Sequence, residues 1–309
     1  GLRLHRLKDK LGTRAVPTAE IGLDGAAAYP VGDPHSGGLS RMMTLVTVTR
    51  LHNAAASAGG MRRGLDYARA YAEVRTVAGG RLADNPLHRA TLARLAVDAQ
   101  AAHVLAAHAF ALLGRVEVDG DGRAATELRL VAPLAKILTG KLAVASASEY
   151  LECFGGAGYV EETGIPRLLR DAQVLPIWEG TSNVLSVDVL RSLAADGPAA
   201  ALLDRVDAAL EGADPTVAGA LGPARERLGK GFAAAAADPG AASALAGARD
   251  LAILAGDVLT CALLVEQAAT EPAGGTAATA ARLWARARLA REDVGIAAAS
   301  GYELLVTGR

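Results

Sequence analysis

The sequence predicts a mainly α-helical protein: a helical bundle preceded by the last strands of a β domain and followed by an additional helical domain. Three observations carry this. Half of the 309 residues are hydrophobic while 4% are aromatic, and alanine dominates, a composition that builds helices with small, closely packed faces. Apolar residues recur at helical spacing over most of the chain after about Ser40. The first 33 residues read differently, with the apolar–polar alternation of strands.

In chain order, Leu2-Arg3-Leu4-His5-Arg6-Leu7 alternates as a half-buried strand does. Lys10-Leu11-Gly12 is turn-like, and Pro17-Thr18-Ala19-Glu20-Ile21-Gly22-Leu23 alternates again. Two or three strands do not make a stable sheet alone, so residues 1–33 are expected to be the end of a β domain whose beginning is missing. Residues 40–78 place Met43, Val46, Leu51, Ala54, Met61 and Leu65 on a proline-free helix. Gly59-Gly60 inside it costs about 1 kcal/mol per glycine against alanine, and a close helix–helix contact is the expected reason. A second helix is expected over 86–113. Asp119-Gly120-Asp121-Gly122 resembles the start of a calcium loop but lacks the later ligands and the closing glutamate, and reads as a turn. A third helix is expected from Ala125 to Cys153, ended by Gly155-Gly156-Ala157-Gly158. That glycine run follows no strand and is not a dinucleotide fingerprint. A fourth helix is expected from Thr181 toward Leu193, with Thr181 or Ser182 as N-cap. After Asp196-Gly197-Pro198 the alanine content rises, and helical patterns cover 199–212, 215–236, 240–269 and 275–305. The division is therefore 1–33, 34–195 and 196–309.

Net charge is −1 and the isoelectric point about 6.7, which gives no bulk attraction to nucleic acid or membrane. No uninterrupted apolar span of membrane-crossing length and no leader stands out. Cys153 and Cys261 suggest neither a disulfide framework nor a metal site, and a reducing cytoplasm is the expectation. The six histidines show no metal spacing, so no metal is expected.

The segment Ile177-Trp178-Glu179-Gly180-Thr181-Ser182-Asn183-Val184-Leu185 wedges one carboxylate between an apolar approach and a helix start. Free N–H groups there, with the hydroxyls of Thr181 and Ser182, form a receptor for a polar or anionic group. A carboxylate with one apolar side suits a general base near neutral pH. The bland alternative is a solvated or capping glutamate, and the residues alone leave both open.

Arg170-Asp171-Ala172-Gln173-Val174-Leu175-Pro176 running into that segment resembles the active-site segment of acyl-CoA dehydrogenases, as does Glu152-Cys153-Phe154-Gly155-Gly156-Ala157-Gly158-Tyr159 upstream. Lys10-Leu11-Gly12-Thr13-Arg14 with Pro17-Thr18-Ala19-Glu20-Ile21 resembles the last strands of that family's middle β domain, and residues 34–195 its C-terminal helical domain. The tail after 196 resembles the extra helical domain of the branch that includes the adaptive-response (DNA alkylation) flavoproteins.

The resemblance implies an FAD-dependent dehydrogenase that converts an acyl-CoA to its 2-enoyl-CoA. Glu179 would remove the α-proton while the β-hydride passes to flavin, with its backbone N–H helping to hold the thioester oxygen. The family's other base position falls on Thr49, which cannot serve. Trp178, Gly180, Thr181 and Asn183 would contact the FAD of the same subunit. Arg75, Glu152, Gly155 and Gly156 would approach a neighbour's FAD in a homodimer or homotetramer. Arg50, with Glu179 and Gly180, would meet the substrate. An electron-transfer flavoprotein is the implied acceptor. Two departures stand out: Val77-Ala78-Gly79 replaces the usual aromatic–glycine after Arg75, and Glu152 stands where many members carry glutamine. The family's N-terminal helical domain and first β strands do not precede these residues, so the chain is expected to be a fragment.

Two alternatives remain at this point. One is an adaptive-response-type flavoprotein that binds double-stranded DNA, with Arg282, Arg286, Arg288 and Arg291 as the basic cluster; against it, residues 197–309 carry ten Lys/Arg and thirteen Asp/Glu, a net of −3. The other is a cofactor-free helical oligomerisation module.

Overall fold

The computed structural model describes residues 1–33, 35–272 and 275–290. Its described residues form nine α-helices and four short strands. β1 (Leu2–Leu7) pairs antiparallel with β2 (Ala19–Leu23), Leu2 opposite Leu23 and Leu4 opposite Ile21, with an irregularity between Leu4 and Arg6. The alternation does produce strands, but β1 is not half-buried: all of its residues are exposed, while Ala19, Glu20 and Gly22 of β2 are partly covered.

The bundle begins with α1 (Gly38–Val74), which ends in a tight hairpin of β3 (Thr76–Val77) and β4 (Gly80–Arg81). Ala78 and Gly79, the departure noted after Arg75, are the hairpin's two positive-φ turn residues. α2 (Pro86–Asp119) is capped by Asn85, whose side chain accepts from the Leu87 and His88 N–H groups. It outruns its apolar pattern by six residues, because nothing stops a helix before the left-handed Gly120. Asp121 then caps α3 (Gly122–Cys153). The Asp119–Gly122 segment is thus a turn between two helices.

α3 is the axis of the molecule. Leu130, Leu134, Ile137 and Leu138 are buried against Leu51, Met61 and Leu65 of α1 and Leu105 and Leu112 of α2. The close contact expected of Gly59-Gly60 is absent, since a Cβ at either would meet open space. Gly64 makes it instead: a Cβ there would lie 2.3 Å from the Tyr150 ring, whose hydroxyl donates to the Met61 carbonyl at 2.7 Å.

After α4 (Pro166–Ala172), which carries no sequence signal of its own, come α5 (Ser182–Leu193), α6 (Pro198–Glu211), α7 (Pro215–Ala237), α8 (Ala242–Thr270) and α9 (Thr276–Trp284), the last running into a π-helical turn over 285–289. Of the helical pattern expected over 275–305, the part from 291 onward lies outside the described residues. The buried core continues from α3 and α5 into α6–α9. Gly256 lets α8 approach α3, its Cβ position being 3.3 Å from Leu138.

One finding corrects the sequence reading of membrane segments, and a second, a buried ion network, had no sequence reading. α2, α3 and α8 are long and apolar enough to cross a bilayer by length and composition, with 83% of the apolar window of α3 buried inside the bundle. Between the two halves, Glu127 on α3 accepts from His108 of α2 at 2.9 Å and from Arg205 of α6 at 2.8 Å, and Arg205 also pairs with Glu266 of α8 at 2.7 Å.

Candidate active site

The segment from Leu175 to Thr181 crosses the middle of α1 and α3 and leads into α5. Three devices hold it. Asn53 of α1 donates to the Leu175 carbonyl at 3.0 Å. Gly140 of α3 lies flat beneath Leu175–Pro176, with its Cβ position 3.3 Å from the Leu175 carbonyl. Lys136, one turn earlier on α3, donates its ammonium to the Gly180 carbonyl.

Glu179 itself has φ +57 and Gly180 φ +109. A glutamate in the left-handed region is strained by about 1 kcal/mol or more, and such a residue persists where its surroundings over-determine it. Of the two residues expected at the cap, Thr181 is the N-cap of α5, but its exposed hydroxyl makes no bond to the helix. The first N–H groups of α5 are left without a side-chain partner. Beside them Ile177, Trp178 and Val184 present apolar surface to solvent. Asn183 is exposed on the first turn of α5, with Arg249 of α8 at 3.5 Å from its Oδ1.

Arg50 is not at the surface. It is buried on α1, with Nη1 at 2.5 Å from Asp188 of α5. Thr49 donates to the Val46 carbonyl of its own helix. Arg75, Glu152, Gly155 and Gly156 are all exposed and gather at the C-terminal end of α1, where Tyr71 and Phe154 stack at 4.8 Å between ring centroids. Arg50 and Arg75 are 25 residues apart on α1, about 37 Å of helix. The sequence-predicted residues therefore form two separate groups, one beside the middle of α1 and one at its C-terminal end.

The loop at Gly12 joins the β pair to this site. A Cβ at Gly12 would lie 2.1 Å from the Arg170 carbonyl, and the Thr13 N–H donates to Asp171 Oδ1 at 2.6 Å. Lys10 closes the loop on itself by donating to the Thr13 and Val16 carbonyls at 2.7 and 2.6 Å.

The residue that sequence reasoning missed is Lys136. It has no exposed surface. Burial, then the charge of Arg50, lowers its ammonium to about 8 against the opposing pull of Glu179. The signal was a lone cation in the apolar run Leu134-Ala135-Lys136-Ile137-Leu138. Elsewhere, Cys153 and Cys261 are free and buried, and burial pushes their thiols up to about 11 and about 12. Among the described residues, no group of three or more His, Cys, Asp or Glu side chains is arranged to hold a metal. In the C-terminal basic cluster, Arg282 pairs with Asp214 at 3.3 Å and Arg288 with the buried Asp257 at 3.0 Å. Arg286 is exposed, and Arg291 lies outside the described residues.

The model of the acyl-CoA dehydrogenase C-terminal domain matches residues 36–194, and the chain belongs to the acyl-CoA dehydrogenase family, which is FAD-dependent. It is 50% identical over 192 residues to acyl-CoA dehydrogenase family member 11 of Caenorhabditis elegans, covering 62% of this chain and 31% of that protein. It is 35% identical over 192 residues to AidB of Escherichia coli K12, covering 62% of this chain and 35% of that protein. The match thus spans about a third of each of these curated relatives. Among solved structures, C. elegans ACDH-11 in complex with C11-CoA superposes with a TM-score of 0.91 at 36% identity, over 99% of this chain and 54% of that one.

Proposed function

We propose that the chain carries the base-bearing half of an FAD-dependent acyl-CoA dehydrogenase site, with Glu179 as the base. The observation that carries this is the strained Glu179, held at φ +57 between a buried lysine contact and an uncapped helix start. A carboxylate that only capped or solvated the helix would need neither.

The residues present fit the flavin. Unpartnered N–H donors at the start of α5 lie beside the apolar surface of Ile177, Trp178 and Val184, which suits a flat ring system with a polar edge. Trp178, Gly180, Thr181 and Asn183 are the residues that would hold it. FAD, when bound, supplies the acceptor for the substrate's β-hydride. Glu179 takes the α-proton, a step made feasible when the thioester oxygen is hydrogen-bonded, for which the Glu179 N–H is the donor assigned. The product is a 2-enoyl-CoA.

Arg75, the C-cap of α1, and Glu152, Gly155 and Gly156, at and just past the end of α3, form a group apart from Glu179. They are assigned to the FAD of a second copy, so a homodimer or homotetramer completes each site. Arg50, engaged by Asp188, is the member of the set whose assignment to the substrate the geometry supports least. An electron-transfer flavoprotein is proposed as the acceptor, and the buried free thiols fit a reducing cytoplasm. The DNA-binding alternative loses ground because Arg282 and Arg288 are engaged within the chain.

The test is the visible spectrum of the chain supplied with FAD, followed by addition of acyl-CoA under anaerobic conditions. The expected result is flavin uptake and bleaching in wild type, with uptake but no bleaching in Glu179→Gln. Full bleaching in that variant removes Glu179 from the role.

A further inference from the structure

Lys136 has no exposed surface, yet it carries an ammonium into the bundle. Burying such a group is costly unless it is paired and hydrogen-bonded. Its partner is the carbonyl of Gly180, the residue that follows Glu179. The charged groups that act on it are Arg50 of α1, itself paired with Asp188 of α5, and Glu179 of the turn. A leucine or methionine would fill the same space without the desolvation cost, so packing alone does not account for a lysine here.

The turn needs an anchor at this point. Asn53 and Gly140 fix its entry at Leu175. The exit, where Glu179 and Gly180 both adopt positive φ, has no other hydrogen bond from the bundle among the described residues, and α5 offers no side-chain cap. The ammonium on the Gly180 carbonyl orients the peptide that leads into Thr181, and so fixes where the α5 N–H groups and the Glu179 carboxylate point.

We propose that Lys136 is a positioning residue for α-proton abstraction: it locks the Glu179–Gly180 turn through the Gly180 carbonyl. This rests on the reading of Glu179 as the base.

The test uses Lys136→Met, which keeps the length and loses both donor and charge, and Lys136→Gln, which keeps a donor without charge. The first readout is amide hydrogen exchange of the whole chain without flavin or substrate. Lys136→Met is expected to speed exchange over 174–183 by roughly tenfold, the size of one hydrogen bond to a charged group, while α1 and the rest of α3 keep wild-type protection. Lys136→Gln is expected to restore part of that protection. Should Lys136→Met fail to fold, the glutamine variant carries the comparison, with intermediate protection expected and wild-type protection overturning the proposal. The second readout is deuterium uptake from D2O at the α-carbon of an acyl-CoA by the FAD-supplied chain. Lys136→Met is expected to slow it about 100-fold, as a misplacement of about 1 Å does, with little change in KM. Wild-type protection over 174–183 in Lys136→Met, or wild-type α-exchange, overturns Lys136 alone. A wild-type chain that takes up FAD and exchanges no α-deuterium overturns the Glu179 assignment, and this proposal with it.

Discussion

At the scale of single residues, the backbone of Glu179 separates stability from chemistry. Its left-handed conformation is one that glycine adopts freely. Glu179→Gly is therefore expected to raise the unfolding free energy by about 1 kcal/mol, measured by urea denaturation, while abolishing α-proton exchange. A variant that lost stability would show that the glutamate side chain holds the turn. Gly158 makes the opposite case. Its Cβ position lies 1.9 Å from the Leu151 carbonyl oxygen, so Gly158→Ala forces a backbone shift and is expected to destabilise by about 2–3 kcal/mol. The legibility of these residues differed. Gly12 and Glu179 stood in motifs, and the structure gives each a physical reason, a close approach to Arg170 and a positive φ. Lys136 stood in plain view within an apolar run, but its partner is 44 residues away, and no local pattern marks a contact of that range.

At the scale of elements, the ion network at Glu127 joins α2, α3, α6 and α8. Burial pushes the Glu127 carboxyl up, but hydrogen bonds from His108 and Arg205 and the charge of Arg205 outweigh it and bring the group to about 2. A folded-state value below the unfolded one gives stability that is present above about pH 4.5 and lost as pH falls toward 2. Glu127→Gln is expected to cost about 3 kcal/mol at pH 7 by leaving Arg205 partly unpaired in the bundle. The gap between wild-type and variant thermal midpoints is expected to close as pH falls below 4.5. A gap constant with pH would mean that the glutamate contributes by packing alone. The long helices themselves were readable from apolar spacing, whereas the caps Asn85 and Asp121 and the left-handed Gly120 came from the structure. The short α4 and the β3–β4 hairpin were not readable, since seven residues and two strand pairs hold too few positions for a period to show.

At the scale of the whole molecule, one core runs from α1 to the π-helical turn after α9. Calorimetry of the chain is expected to give one unfolding transition; two transitions would show that the tail melts as a separate unit. The two groups of site residues, about 37 Å apart along α1, make a prediction about assembly. Arg75 is exposed, so Arg75→Ala is expected to shift stability by less than about 0.5 kcal/mol. It is also expected to weaken FAD uptake in the oligomer, read by flavin titration beside sedimentation. Unchanged uptake would detach that end of the helix from the flavin.

By itself the sequence determined the long helices, the position of the candidate base and the family, because periodicity and contiguous motifs are local properties. Only the tertiary structure decided which charges meet. Arg50 is taken by Asp188, Arg282 by Asp214 and Arg288 by Asp257, and Lys136 comes to lie under the turn that holds Glu179. Each of these pairs is closed by helices packing across dozens of residues of chain, and side-chain identity alone does not encode which of many possible partners the fold brings within reach.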